Sequence, residues 1–137
     1  MDRQRRFCAF VARGHDPHPT ILNALEFARD FLQVSSLNEQ GRVKAAIVVE
    51  ELVSNMLRHG GEGQDIALEL SLTETEDGVE VAVEDDGTPF DPVNDTLFRG
   101  VDPKTGGGVG LAIVRAWGEE IRYSRNAERN HLMLMIR

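Results

Sequence analysis

Between Asp65 and Asp85 the chain alternates apolar and polar residues through two consecutive runs, and no other stretch constrains the fold as much. Ile66, Leu68, Leu70 and Leu72 interleave with Ala67, Glu69, Ser71 and Thr73; beyond Asp77-Gly78, Val79, Val81 and Val83 resume the same rhythm. A period of two sends alternate side chains to opposite faces, and Asp-Gly is a tight-turn pair. The segment therefore predicts an antiparallel hairpin with one apolar face, which other elements must cover.

The rest of the chain supplies the cover. Phe7 to Val11 is a short apolar run that predicts a first strand. Asp16 before Pro17 predicts an N-cap with proline at the first helical position, and Ile21, Leu22, Leu25, Phe27, Ala28, Phe31 and Leu32 carry helical spacing to about Val34. Asn38 predicts the cap of a longer helix reaching about His59, which Gly60, Gly61 and Gly63 end. A third helix is expected over Gly107 to Trp117, stopped by Gly118. Two last strands, about Glu119 to Ser124 and His131 to Ile136, flank a polar turn at Asn126 to Asn130. The expected architecture is a two-layer α/β sandwich, a mixed and mostly antiparallel sheet with helices on one face, and not a doubly wound parallel fold.

At 137 residues the chain is expected to form one domain, 1–137, with a single core. Acidic residues outnumber basic ones 23 to 15, which argues against sequence-independent nucleic-acid binding. No stretch reaches the roughly 20 apolar residues of a membrane helix, and a cytoplasmic setting is expected. The single cysteine, Cys8, is expected to be a small buried residue on the first strand. His15, His18, His59 and His131 make no ligand pair at metal spacing, and no Gly-x-Ser-x-Gly elbow exists. Trp117, with Leu111, Ile113 and Val114, is read as core or dimer packing.

Three segments carry the chemistry. In the long helix, at about 100° per residue, Ala45, Ala46, Val49, Leu52, Val53 and Met56 fall on the side that faces the sheet. Glu51 and Asn55, one turn apart, project together away from that stripe; Arg58 continues the line and Glu50 points elsewhere. Taken alone, Glu51 and Asn55 read first as ordinary solvated helix residues. Asp85 ends a strand of alternating valines, where a carboxylate can accept a hydrogen bond from the exocyclic amine of adenine, and Gly87 removes a side chain beside it. An ordinary strand-ending Asp-Gly turn is the alternative. Gly106, Gly108 and Gly110 open a helix, where bare backbone N–H groups suit phosphate oxygens; a simple hinge would use the same glycines. Leu111 and Ile113 stand where a Rossmann fingerprint needs its third glycine, and no Gly-Lys-Ser/Thr follows for a Walker A loop. From Gly87 to Gly106, Pro89, Pro92 and Pro103 interrupt a long aperiodic loop of the kind that is usually functional.

In this order, Glu51-x-x-x-Asn55, Asp85-x-Gly87 and Gly106-x-Gly108-x-Gly110 resemble the N, G1 and G2 boxes of the GHKL ATP-binding superfamily, whose fold is the Bergerat α/β sandwich. The resemblance runs from about Gly14 to the C-terminus. His59-Gly60, Asp85-Asp-Gly-x-Pro-Phe-Asp-Pro92, Leu97-Phe98 and the Ile-x-Tyr ending at Tyr123 are similar to the small bacterial branch of anti-sigma factors that are serine/threonine kinases. The second glycine usual in the G1 box is Pro89 here, a replacement found in that branch as well. A histidine-kinase catalytic fragment is less expected, because no phosphoacceptor helix precedes the domain.

The resemblance implies Mg-ATP as cofactor, with Asn55 coordinating Mg²⁺ through its side-chain oxygen and Glu51 as general base. It implies Asp85 selecting adenine with Gly87 beside the ring, and Gly106, Gly108 and Gly110 at the phosphates under a lid of Pro92 to Thr105. Lys104 in that lid could reach a phosphate, although a solvated loop lysine is the preferred reading, and Arg58 is similarly ambiguous. The implied activity is phosphorylation of a STAS-type anti-anti-sigma protein, with a sigma factor bound in the alternative complex and a homodimer possible. A non-catalytic ATP-binding module, acting through protein contacts, is the competing expectation.

Overall fold

The computed structural model describes residues 3–61, 63–89 and 109–137. Five strands, β1 (Arg3–Val11), β2 (Ile66–Thr75), β3 (Gly78–Asp85), β4 (Glu119–Asn126) and β5 (Arg129–Ile136), form one sheet in the order β1-β2-β3-β5-β4. Every neighbouring pair is antiparallel, so among the described residues the expected mixed sheet is wholly antiparallel. Among the described residues three α-helices, α1 (His18–Gln33), α2 (Glu39–Asn55) and α3 (Val109–Trp117), accompany the sheet.

The alternating pattern determines where the core lies. Leu68, Leu70 and Leu72 of β2, Val79, Val81 and Val83 of β3, and Leu132, Leu134 and Ile136 of β5 are buried on one face. They meet Val48, Val49, Leu52 and Val53 of α2 and Ala28, Phe31 and Leu32 of α1 in one cluster. A period-two stripe on the sheet thus packs against a period-3.6 stripe on the helices, giving the two-layer sandwich. The opposite face of the sheet carries Gln4, Arg6, Ser71, Glu80, Glu84 and Arg122, all at least partly accessible.

Several boundaries differ from expectation for physical reasons. The first strand starts at Arg3 rather than Phe7, because arginine stems can line an apolar edge while their heads stay polar. The Arg3 guanidinium lies 3.8 Å from the centre of the Phe31 ring and donates to the Phe31 carbonyl at 2.7 Å. Cys8 is exposed, against expectation. Phe7, Ala9 and Val11 take the helix side, with Phe7 against Phe27, so the period of two turns Cys8 outward between Arg6 and Phe10.

The start of α1 slips by one residue: Pro17 occupies the cap position and the Asp16 carboxylate accepts from the His18 N–H at 3.0 Å. Asn38 caps α2 as expected, accepting from the Gly41 N–H at 2.8 Å. The α-helical part of that segment stops at Asn55, and Met56–Gly60 continues as a wider π-helical turn. At the last hairpin β4 and β5 run further than expected, to Asn126 and from Arg129, and close through Ala127 and Glu128 at φ 51° and 63°. Positive φ at both central residues is the backbone twist that a two-residue hairpin requires. The expected lid, Pro92 to Thr105, lies outside the described residues, as do Lys104, Gly106 and Gly108.

Candidate functional site

Two groups of side chains meet at the end of the sandwich where α2 terminates and β3 runs out. The first is on α2. Glu51 and Asn55 are half-buried one turn apart, and the Asn55 amide nitrogen donates to the Glu51 backbone carbonyl at 2.7 Å. That bond uses the nitrogen end of the carboxamide and leaves its oxygen, a hard neutral donor, for an external cation. The Met56 N–H is shared between the Leu52 and Val53 carbonyls, where the helix widens into its π turn; such turns recur at functional sites.

The Glu51 carboxylate lies against Gly110 at the start of α3, so close that any Cβ at position 110 would collide with its Oε2. α3 packs on α2, and Lys44 of α2 sits 5.9 Å above the ring of half-buried Trp117. Burial, and secondarily the neighbouring Glu50, raise the Glu51 pKa above the ordinary carboxylate value. Arg58 is exposed and hydrogen-bonds to Ser54 on its own helix at 3.2 Å.

The second group surrounds Asp85, which is fully buried at the end of β3. Its Oδ1 accepts from the Gly87 N–H at 2.9 Å and from the Asn130 amide at 3.0 Å. Its Oδ2 is buried and has no hydrogen-bond partner among the described residues. Burial raises the Asp85 pKa and the nearby Asp86 adds to the rise; the bonds from Asn130 and Gly87, and the Arg125 charge, pull the other way without cancelling it. A buried acceptor with nothing to accept from is costly, and in a native protein it calls for a donor beyond the described residues.

The two groups are joined by the turn after β3. The Asp86 side chain accepts from the Ala67 N–H at 2.8 Å, which ties the turn to β2. The Thr88 hydroxyl donates to the His59 carbonyl in the π turn at 3.4 Å. Of the residues expected to form the site, Glu51, Asn55, Asp85, Gly87 and Gly110 are therefore gathered at one end of the fold, while Arg58 faces solvent beside them. Asn130, Tyr123 and Arg125, which share the helix-facing side of the sheet with Asp85, were not anticipated as site residues. Strand register places Asn130 directly opposite Asp85 and Arg125 opposite Asn130. In the linear sequence Asn130 stands among polar turn residues, with no local signal of burial.

Among the described residues no three His, Cys, Asp or Glu side chains come close enough to hold a metal by themselves. The donor set fits a cation that takes one protein oxygen, from Asn55, and completes its shell with phosphate and water oxygens, as Mg²⁺ does.

A carboxylate and a carboxamide on one helix thus stand at the same end of a two-layer α/β sandwich as a buried, one-sided aspartate. The chain belongs to the histidine kinase-like ATPase domain family, whose model matches residues 16–136. It is also similar to the serine/threonine-protein kinase BtrW of Bordetella bronchiseptica, at 29% identity over 97 residues that span 68% of each chain. Membership of this family makes the chain an ATP-binding, kinase-like domain. No helix among the described residues is long and apolar enough to cross a membrane.

Proposed function

We propose that this chain is a Mg-ATP-dependent serine/threonine protein kinase of the anti-sigma type. It would act as a single domain over residues 1–137 in the cytoplasm, phosphorylate a STAS-type anti-anti-sigma protein, and hold a sigma factor when that partner is withdrawn. The observation that carries the reading is the Asp85 Oδ2, a buried acceptor facing away from its own partners. It suits the exocyclic amine of adenine, a donor that guanine does not present at the corresponding position. The name of the Bordetella relative supports the choice of a protein hydroxyl as the phosphoryl acceptor.

In this reading the base lies against Gly87, and the triphosphate extends toward the α3 N-terminus, with Gly106, Gly108 and Gly110 along it. Asn55 offers its side-chain oxygen to Mg²⁺, which when bound neutralises phosphate charge. Glu51 takes the proton of the attacking serine hydroxyl as the new O–P bond forms and ADP leaves. Its raised pKa makes it, in its ionised form, a better proton acceptor than an ordinary glutamate. Lys104, Arg58 and the Pro92 to Thr105 lid are assigned to phosphate contact and closure, and a homodimer to the assembled state, by family resemblance.

The test is incubation of the purified protein with γ-labelled ATP, Mg²⁺ and STAS proteins from the same organism. Label should move to one partner serine, and Glu51→Ala should slow transfer by about 10²–10⁴-fold while ATP still binds. Retained nucleotide binding with no transfer to any such partner, in wild type as in Glu51→Ala, would leave a non-catalytic module as the correct reading.

A further inference from the structure

The Asp85 carboxylate is held by a saturated amide. Asn130 is 1% exposed, and each of its hydrogen-bonding positions is filled. Its Oδ1 accepts from the Tyr123 hydroxyl at 2.5 Å and from Arg125 Nη1 at 2.9 Å. Its Nδ2 donates to Asp85 Oδ1 at 3.0 Å and to the Thr88 carbonyl at 2.9 Å. A carboxamide has two donor hydrogens and two acceptor lone pairs, so none is left over. The amide cannot flip. Turned around, its nitrogen would face the donor-only Arg125 guanidinium and its oxygen would face a carboxylate and a carbonyl.

This orientation is passed on to Asp85. With Asn130 and the Gly87 N–H both on Oδ1, rotation of the carboxylate would break two buried bonds, so Oδ2 is the oxygen kept for a ligand. Arg125 Nη1 also donates to the Gly87 carbonyl at 3.0 Å, which fixes the turn on which the base is to rest. Both bonds to Asp85 Oδ1 favour the ionised, acceptor-only form. An ionised Oδ2 accepts from a purine amine and repels a purine carbonyl.

We propose that Asn130, clamped by Tyr123 and Arg125, is a positioning residue that sets purine specificity by aiming Asp85 Oδ2 at the exocyclic amine. The inference rests on the ATP site proposed above, and its test separates the two. Calorimetric titrations of the full chain with Mg-ATP are compared with titrations of purine riboside triphosphate, which has the same ring and phosphates without the amine. Wild type should bind ATP about tenfold more tightly than the analogue, the effect of one charge-assisted hydrogen bond. Equal affinities in wild type would overturn the assignment of Asp85, and the role of Asn130 with it.

If wild type does discriminate, Asn130→Ala should lose about tenfold for ATP and leave the analogue unchanged, collapsing the ratio. Parallel losses for both ligands, or none for either, would refute positioning and leave Asn130 a purely structural residue. Tyr123→Phe keeps the packed ring and removes one of the two donors that orient the amide. It should narrow the ratio in the same direction, and an unchanged ratio in this variant refutes positioning if Asn130→Ala does not fold. A second readout is the acid limit of ATP binding. Removing a bond to the ionised form should move that limit to higher pH in Asn130→Ala, whereas a purely structural defect would lower affinity without moving it.

Discussion

Glu51 shows how much a single side chain owes to its surroundings. Half-buried beside Gly110, with Glu50 next to it in the chain, it has a pKa raised first by burial and then by its neighbour's charge. A general base works in its ionised form, so single-turnover phosphotransfer should rise as pH climbs through this raised pKa and level off above it. Glu50→Gln removes the secondary cause, and the acid limb of the profile should move to lower pH while the plateau rate stays nearly the same. A limb that does not move would mean either that Glu51 is not the group being titrated or that Glu50 does not act on it. The four-residue spacing of Glu51 and Asn55 was legible from helical angles alone. Their setting was not, because the Gly110 contact joins residues 59 positions apart and no local pattern encodes it.

At the scale of elements, the legible parts are those with an unambiguous period. Ile66, Leu68, Leu70 and Leu72 alternate with polar residues, so both the strand and its buried face could be read. In β1 the run Phe7-Cys8-Ala9-Phe10-Val11 is apolar throughout and its phase is unreadable; pairing with β2 decides that Cys8 faces out. The widening of α2 into its π turn also escapes the sequence, since Met56-Leu57 continues the apolar stripe. The contact between α2 and α3 yields its own prediction. A methyl group at position 110 would collide with the Glu51 carboxylate, so Gly110→Ala must rotate Glu51 away or shift the start of α3. Phosphotransfer should fall by about 10²-fold, the usual effect of a misplacement near 1 Å. In a Glu51→Ala background the same substitution should change the melting temperature less than it does in wild type, because the colliding group is gone. Equal shifts in the two backgrounds would show that the two residues do not touch.

For the molecule as a whole, the site is a standing cost to the fold that holds it. Burial places the Asp85 pKa above its ordinary value, so over a window of pH the folded chain keeps a proton that the unfolded chain has released. Stability contributed by this carboxyl is therefore complete below the unfolded pKa and is lost as pH rises through the folded one. Above that window the ionised, half-partnered Asp85 thus destabilises the protein. Asparagine has the shape of the protonated acid and carries no charge. Above the folded-state pKa, Asp85→Asn should consequently melt at a higher temperature than wild type, and the difference should shrink as the pH is lowered toward the range where wild type takes up its proton. The order should reverse when Mg-ATP is added. Wild type would gain stability in proportion to the logarithm of ligand over Kd, whereas the variant, with an amide in place of the acceptor, would gain far less. Differential scanning calorimetry of both proteins at two pH values, with and without nucleotide, tests every part of this. A variant less stable than wild type without ligand, at the pH where Asp85 is ionised, would mean that Asn130, Gly87 and Arg125 already compensate the buried charge in full, and that Asp85 is held for structure rather than reserved for a ligand.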